Sequence, residues 1–216
     1  MPPRADLAFI AFFAAAILSL ASSAPAQPAT ELRWGGDPEG GAPFVEADPD
    51  DPTRLVGFDV EVAELIAHGL GRTPRFVFVS FPSIDQSVAR GDFDIGLSGI
   101  EDIPARRAAL ATTVPYYEFR EVLTVRAADR DRFRSLADLG GRKVATLAAT
   151  MAYDLLLESE RTLGLTAVSY EDDVHPYSDL ALGRVDAVLL DHVIAHRATA
   201  RSKGLHTQPD AIAVGH

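Results

Sequence analysis

From Leu32 onward, short apolar runs alternate with longer stretches of helical period. That alternation restricts the chain to α/β architecture, because each strand must be covered by the helix that follows it. Strands are expected at Leu32–Gly35, Arg75–Val79, Ile95–Leu97, Val122–Val125, Lys143–Thr146, Val168–Tyr170 and Ala187–Leu190. A Gly/Pro/Asp-rich loop runs from Gly36 to about Arg54. Asp59 is placed to cap a helix reaching about His68, with Gly69 and Gly71 as stop signals. Ser83–Ala89 reads as a short helix closed by Gly91, and Pro104 opens another that reaches Leu110. Thr150 can cap a helix over Ala152–Arg161, and helical stretches at Tyr177–Leu182 and Val193–Ala200 flank the last strand. The pattern splits into two α/β units joined near Glu118–Val122, and a small-molecule site between two such units is a natural expectation.

Composition narrows the partners. The formal net charge of -11 argues against nucleic acid, which needs clustered Lys and Arg. Cysteine is absent, so there is no disulfide framework, no Cys-based zinc site and no lipid-anchored Cys. His192 and His196 are four apart beside Asp191, but no H-E-x-x-H pattern accompanies them, and an exposed helix face is the simpler reading. The Gly-rich first loop lacks the G-K-[ST] of a phosphate loop, and no G-x-S-x-G elbow occurs. No metal or cofactor is expected.

The N-terminus carries an apolar run, Leu7–Leu20, too short for the roughly 17–25 residues of a membrane span. Ala24-Pro25-Ala26 follows as an A-x-A cleavage pattern. Residues 1–26 therefore read as a secretory signal peptide, which puts the working part in the periplasm or otherwise outside the cytoplasm.

Several segments, in order, carry a resemblance. They are Gly57-Phe58-Asp59-Val60-Glu61; Phe81 to Asp94 (FPSIDQSVARGDFD); Ser98-Gly99-Ile100 with Arg106 and Pro115-Tyr116-Tyr117; Leu139 to Thr150 (LGGRKVATLAAT); and Gly183 to Asp191 (GRVDAVLLD). In residues and spacing this series resembles the bacterial periplasmic amino-acid-binding proteins, the family 3 solute-binding proteins of polar amino-acid ABC transporters. The resemblance implies a two-lobed periplasmic-binding-protein fold of type II, with the ligand cleft between lobes. It implies lobe 1 over residues 27–120, lobe 2 over 121–205, and a return crossover toward lobe 1 beginning at 206–216. Family members continue with a strand and helix that complete lobe 1. The chain is thus expected to be a truncated form or the receptor part of a receptor–permease fusion, with a poorly closed lobe 1.

The chemistry suits a free amino acid. Arg106 offers a planar fork for the carboxylate, and backbone N–H groups near Gly99 and at the Thr150–Met151 helix start can complete an anion site. Asp191 ends an apolar strand, where α/β folds expose ligand groups, and the resemblance implies that it binds the ligand ammonium. The resemblance also implies that Phe81 stacks on the ligand side chain; Asp37, Ser98 and Glu101 are expected to join the site. Each residue alone has a plainer role: Arg106 as a surface charge, Asp191 as a helix cap, Phe81 as a core aromatic.

Departures from the family pattern bear on specificity. Glu101 stands where Thr or Ser is usual, and could meet an ammonium group or pair with Arg106. Ile103 replaces a Thr, Ala149 a Gly, and Leu147 a position that is often polar. The acids Asp37, Glu39 and Glu101 hint at a polar or cationic ligand. The expected function is a monomeric, non-catalytic receptor handing a polar amino acid to an ABC transporter permease. Two alternatives stay open: a cyclohexadienyl- or prephenate-type dehydratase on the same fold, with Glu39 or Glu101 as acid, and a ligand-sensing module of a larger protein.

Overall fold

The computed structural model describes residues 30–39 and 41–216. The expected signal peptide and its cleavage point lie outside the described residues. Two sheets organise the chain. The first has three parallel strands: β1 (Glu31–Gly36), β4 (Thr73–Phe78) and β5 (Ile95–Gly96), in the order β4-β1-β5. Helix α1 (Phe58–Gly69) links β1 to β4, and α2 (Ile84–Arg90) links β4 to β5. A small hairpin of β2 (Glu46–Ala47) and β3 (Leu55–Val56) interrupts the loop after β1. The second sheet has the order β10-β6-β9-β7-β8. Its strands are β6 (Phe119–Arg126), β7 (Lys143–Leu147), β8 (Thr166–Tyr170), β9 (Ala187–Asp191) and β10 (Leu205–Gly215).

Strands β8-β7-β9 repeat the winding of β4-β1-β5: the first strand in sequence lies between the second and third, all parallel. Helices α4 (Met151–Leu163) and α5 (His175–Ala181) make these crossovers, and α6 (His192–Arg201) follows β9. Such winding puts the carboxyl ends of β1, β4 and β5 together in one unit, and those of β7 and β9 together in the other. Strand β6 joins the units and pairs antiparallel with β9. The final residues, expected to begin a return to lobe 1, form β10. It runs back along β6 from Leu205 opposite Arg126 to Gly215 opposite Phe119. The Asp102 amide donates to the His216 carbonyl at 2.6 Å, which ties the end of β10 to the first unit.

One apolar cluster spans the boundary between the units. It joins Phe81, Ile84 and Phe93 of the first to Leu147, Leu190 and Ile194 of the second. A second cluster, around Leu123, Leu139, Leu156 and Leu189, fills one face of the larger sheet. A third packs Trp34, Phe44, Val45, Ala63 and Leu97 beneath α1. Among the described residues no helix is long and apolar enough to cross a membrane.

Candidate functional site

The site residues predicted from the sequence, Arg106 apart, fall at or just beyond the carboxyl ends of parallel strands. Asp37 follows β1, Phe81 follows β4, and Ser98, Gly99 and Glu101 follow β5. Thr150 and Met151 follow β7, Asp191 ends β9, and Arg106 lies in the short helix α3 (Pro104–Ala109) after the β5 loop. Their side chains then divide into those that hold the loops and those that face open space.

Asp37, Ser98 and Phe81 hold loops. The Asp37 amide donates to Ser98 Oγ at 3.1 Å. The Asp37 carboxylate accepts from the Phe81 amide at 2.9 Å and the Glu39 amide at 2.9 Å. This buried acid therefore ties together the loops after β1, β4 and β5. Phe81 is buried in the cluster between the units, packed as core. Gly99 has φ 66, in the left-handed region open to glycine. A Cβ there would lie 2.7 Å from the Phe44 ring. Its amide, expected to help hold an anion, donates instead to Asp59 Oδ2 at 2.6 Å. Asp59 consequently does not cap α1. Gly57 holds the N-cap position with φ 133, and the buried Asp59 carboxylate accepts from Gly99 and from the Tyr116 hydroxyl at 3.0 Å. Burial pushes Asp59 upward in pKa, and these two donors oppose the shift.

Gly99, Glu101, Arg106 and Asp191 line one cavity of about 550 Å³. It extends from the boundary between the units along the free side of β5, under the segment Leu110–Tyr117, and Val62 and Ile66 of α1 make part of its apolar wall. Asp37, Phe81, Ser98, Thr150 and Met151 are not on that wall. A second cavity of about 490 Å³ opens between the Pro38–Ala47 loop and helices α5 and α6, lined by Glu39, Asp173 and Arg197 among others.

Arg106 is buried, with 7% of its surface exposed. Its Nε donates to both Asp85 oxygens at 2.8 and 2.9 Å, and its Nη1 donates to the Glu101 carbonyl. The guanidinium thus already has a carboxylate partner, one that no local pattern predicts. Asp85 lies 21 positions away on another helix. Glu101 does not pair its carboxylate with Arg106. Its Oε2 accepts from the Met151 amide at 2.8 Å, at the first residue of α4. That amide sits at a helix N-terminus, where carboxylates are favoured. Thr150 caps the same helix: Oγ1 accepts from the Tyr153 amide at 3.2 Å and donates to the Leu147 carbonyl at 2.7 Å. Burial pushes Glu101 up to about 7, with Asp191 and Asp154 adding to the shift and the Met151 amide and Arg106 opposing it.

Asp191 caps α6, accepting from the Val193 amide at 2.7 Å, and still borders the cavity. Burial raises its pKa; the Val193 amide and His192 act against that. His192 stacks on Tyr117 with ring centres 6.4 Å apart, and accepts from the Arg120 amide at 3.3 Å. No group of His, Asp and Glu suited to hold a metal ion occurs among the described residues. An Arg197–Glu46 ion pair also bridges the units, with Nη1 to Oε1 at 2.8 Å. Sequence reasoning missed this pair, along with Asp85 and Glu121. Glu121 is buried on β6, beside Glu101 and Asp191. Its signal was a charged residue inside the strand pattern Phe119–Arg126.

Comparison with known proteins agrees with this architecture. The model of the bacterial extracellular solute-binding proteins, family 3, matches residues 32–204. The ABC transporter arginine-binding protein 1 of Escherichia coli K12 is 26% identical over 66% of this chain, which spans only 57% of that protein's length. The histidine-binding periplasmic protein of Salmonella typhimurium is 29% identical over 88% of the chain and 70% of its own length. Among solved structures, the arginine-bound form of a truncated ArgBP from T. maritima superposes with a TM-score of 0.77 at 26% identity, covering 86% of this chain and 85% of that one. An ancestral amino acid-binding protein described as a precursor of cyclohexadienyl dehydratase gives a TM-score of 0.76 at 25% identity, covering 86% of this chain and 79% of that one. With the family model matched across both units, this chain belongs to the bacterial extracellular solute-binding proteins, family 3, and has their two-lobed type II fold.

Proposed function

We propose that this protein is an extracytoplasmic receptor that captures a polar, preferably cationic, amino acid between its lobes and delivers it to the permease of an ABC importer. The observation that carries the reading is the convergence of Arg106, Glu101, Asp191 and the α4 N-terminus at the lobe boundary. Arg106 and the α4 amides suit an α-carboxylate, and Asp191 suits an α-ammonium. Asp85 and Glu101 themselves take the two anion positions. An incoming carboxylate would replace them, and lobe closure would follow from its better fit to the closed form. The arginine- and histidine-binding relatives make basic amino acids the first candidates. We further propose that the chain acts as a monomer, and that residues 1–26 are removed during export to the periplasm.

A thermal-shift screen of the purified chain against the common amino acids, with prephenate as control, tests this reading. Ligand at a hundred times its Kd adds about 2.7 kcal/mol, a shift of several degrees. The receptor reading requires a clear shift with one chemical class of amino acid and no turnover. No shift from a folded sample rejects it. One observation favours a second reading, as a dehydratase. Glu101, with its pKa near neutrality, is suited to act as a general acid, whereas the other candidate, Glu39, is exposed. Conversion of prephenate or arogenate would establish that reading, and binding of an unmodified amino acid without turnover would reject it.

A further inference from the structure

Glu121 is the acid that the reading above leaves without a task. It lies on β6 with 1% of its surface exposed, and its Oε2 has no hydrogen-bond partner among the described residues. A buried polar atom left unpaired costs about 1–3 kcal/mol, and more when ionised. Its nearest charged neighbours are acids. Asp191 stands directly opposite it in the β6–β9 register, where side chains share a face with Cβ atoms about 4.5–5.5 Å apart. The Glu101 carboxyl, of the other lobe, is a second acid acting on it.

Other groups facing these acids do not neutralise them. Arg106 is held by Asp85 and the Glu101 carbonyl. The Ala152 amide of α4 favours ionised Glu121, while the Tyr177 hydroxyl of α5 and Asp154 of α4 add no positive charge. His192 and His196 of α6 act on Asp191. Neighbouring buried carboxyls oppose each other's ionisation, which favours a proton on the pair. Burial, Glu101 and Asp191 all push Glu121 well above the ordinary carboxylate range.

We propose that Glu101 and Glu121, beside Asp191, form a subsite for the cationic side chain of a basic amino acid. This rests on the amino-acid-receptor reading. One acid suffices for an α-ammonium, which leaves two for a second cation. A guanidinium, with five N–H donors in a fixed fork, satisfies the orphaned Oε2 and the neighbouring oxygens together. Binding then expels a proton: the acid pair loses H⁺ as the cation arrives, and total charge is conserved. Affinity for a basic amino acid rises with pH, by about tenfold per unit while the empty pair holds its proton, and levels off above that range.

Isothermal titration of the purified chain with L-arginine and L-glutamine from about pH 6 to 7.5, in phosphate and in Bis-Tris, measures both affinity and protons released. The expected result is about one proton released per arginine on the acid side of neutrality, and none per glutamine. Glu121→Gln should abolish the release and lower the arginine-to-glutamine affinity ratio by about thirtyfold or more. Glu101→Gln, which keeps an acceptor for the Met151 amide, should abolish the release as well, and covers the case in which the Glu121 variant does not fold. Arginine binding without proton release overturns the subsite, as does an unchanged ratio in a folded Glu121→Gln chain. A folded wild-type chain that binds no amino acid at any pH overturns the receptor reading, and the subsite with it.

Discussion

The Glu101 carboxylate of one lobe accepts the Met151 amide of the other at 2.8 Å, so an acid of the protein occupies the helix N-terminus best suited to a ligand carboxylate. The contact links the lobes, and it does so with a group whose pKa is displaced.

Stability of the unliganded protein should therefore fall as pH rises. Glu101 moves from 4.5 in the unfolded chain to about 7 in the folded one, and Glu121 shifts in the same direction. Between those values the folded state holds more protons than the unfolded state. The stabilisation is fully present below the unfolded pKa and is lost as pH climbs through about 7. The Glu101 contribution is on the order of 3 kcal/mol. Melting temperature measured from pH 5 to pH 8 should decline, and Glu101→Gln should flatten the decline; a pH-independent melt contradicts the assignment.

Arg106→Ala and Asp191→Ala should each remove the stabilisation given by amino acid. They differ in the free protein. Losing Arg106 strips a buried cation from the partly exposed Asp85 and from the Glu101 carbonyl, and costs about 1–3 kcal/mol in denaturant melts. Losing Asp191 also uncaps α6, and costs about 0.5–2 kcal/mol. Retained binding in both variants would remove these residues from the site.

Gly99→Ala tests the loop after β5. Alanine at φ 66 is strained by about 1–2 kcal/mol, and its Cβ would press on the Phe44 ring 2.7 Å away. Urea unfolding should show a loss of roughly 2 kcal/mol or more once the clash is added. Little or no loss would mean that this loop adapts freely.

Arg197 and Glu46 should act together as an interlobe clasp. Both are partly buried and paired through two bonds, unlike the exposed ion pairs elsewhere on the surface. Arg197→Met should weaken ligand affinity several-fold by lowering the closed population, since apparent affinity scales with the competent fraction. A double-mutant cycle with Glu46→Gln should show coupling of about 1 kcal/mol. Additive effects would mean the pair contributes no closure energy.

Much of this molecule was legible in its sequence, because strands and helices answer to local rules. The apolar run Ala187–Leu190 is short enough to read as a buried strand, Thr150 caps the helix it precedes, and Gly91 ends α2. Once β4-β1-β5 and β8-β7-β9 wind alike, the carboxyl ends of their strands are the only places the candidate residues can occupy. Tertiary structure alone decided what each side chain does there. Asp59 reads locally as a cap, yet it bonds Gly99 forty positions away. Arg106 meets Asp85, Glu101 meets Met151, and Glu121 meets Asp191 across two strands. These pairings link segments far apart in the chain, and no helical or strand period encodes them. They are set when the packing of Phe81, Phe93, Leu147 and Leu190 brings the lobes together and makes each buried carboxylate find a donor or keep its proton.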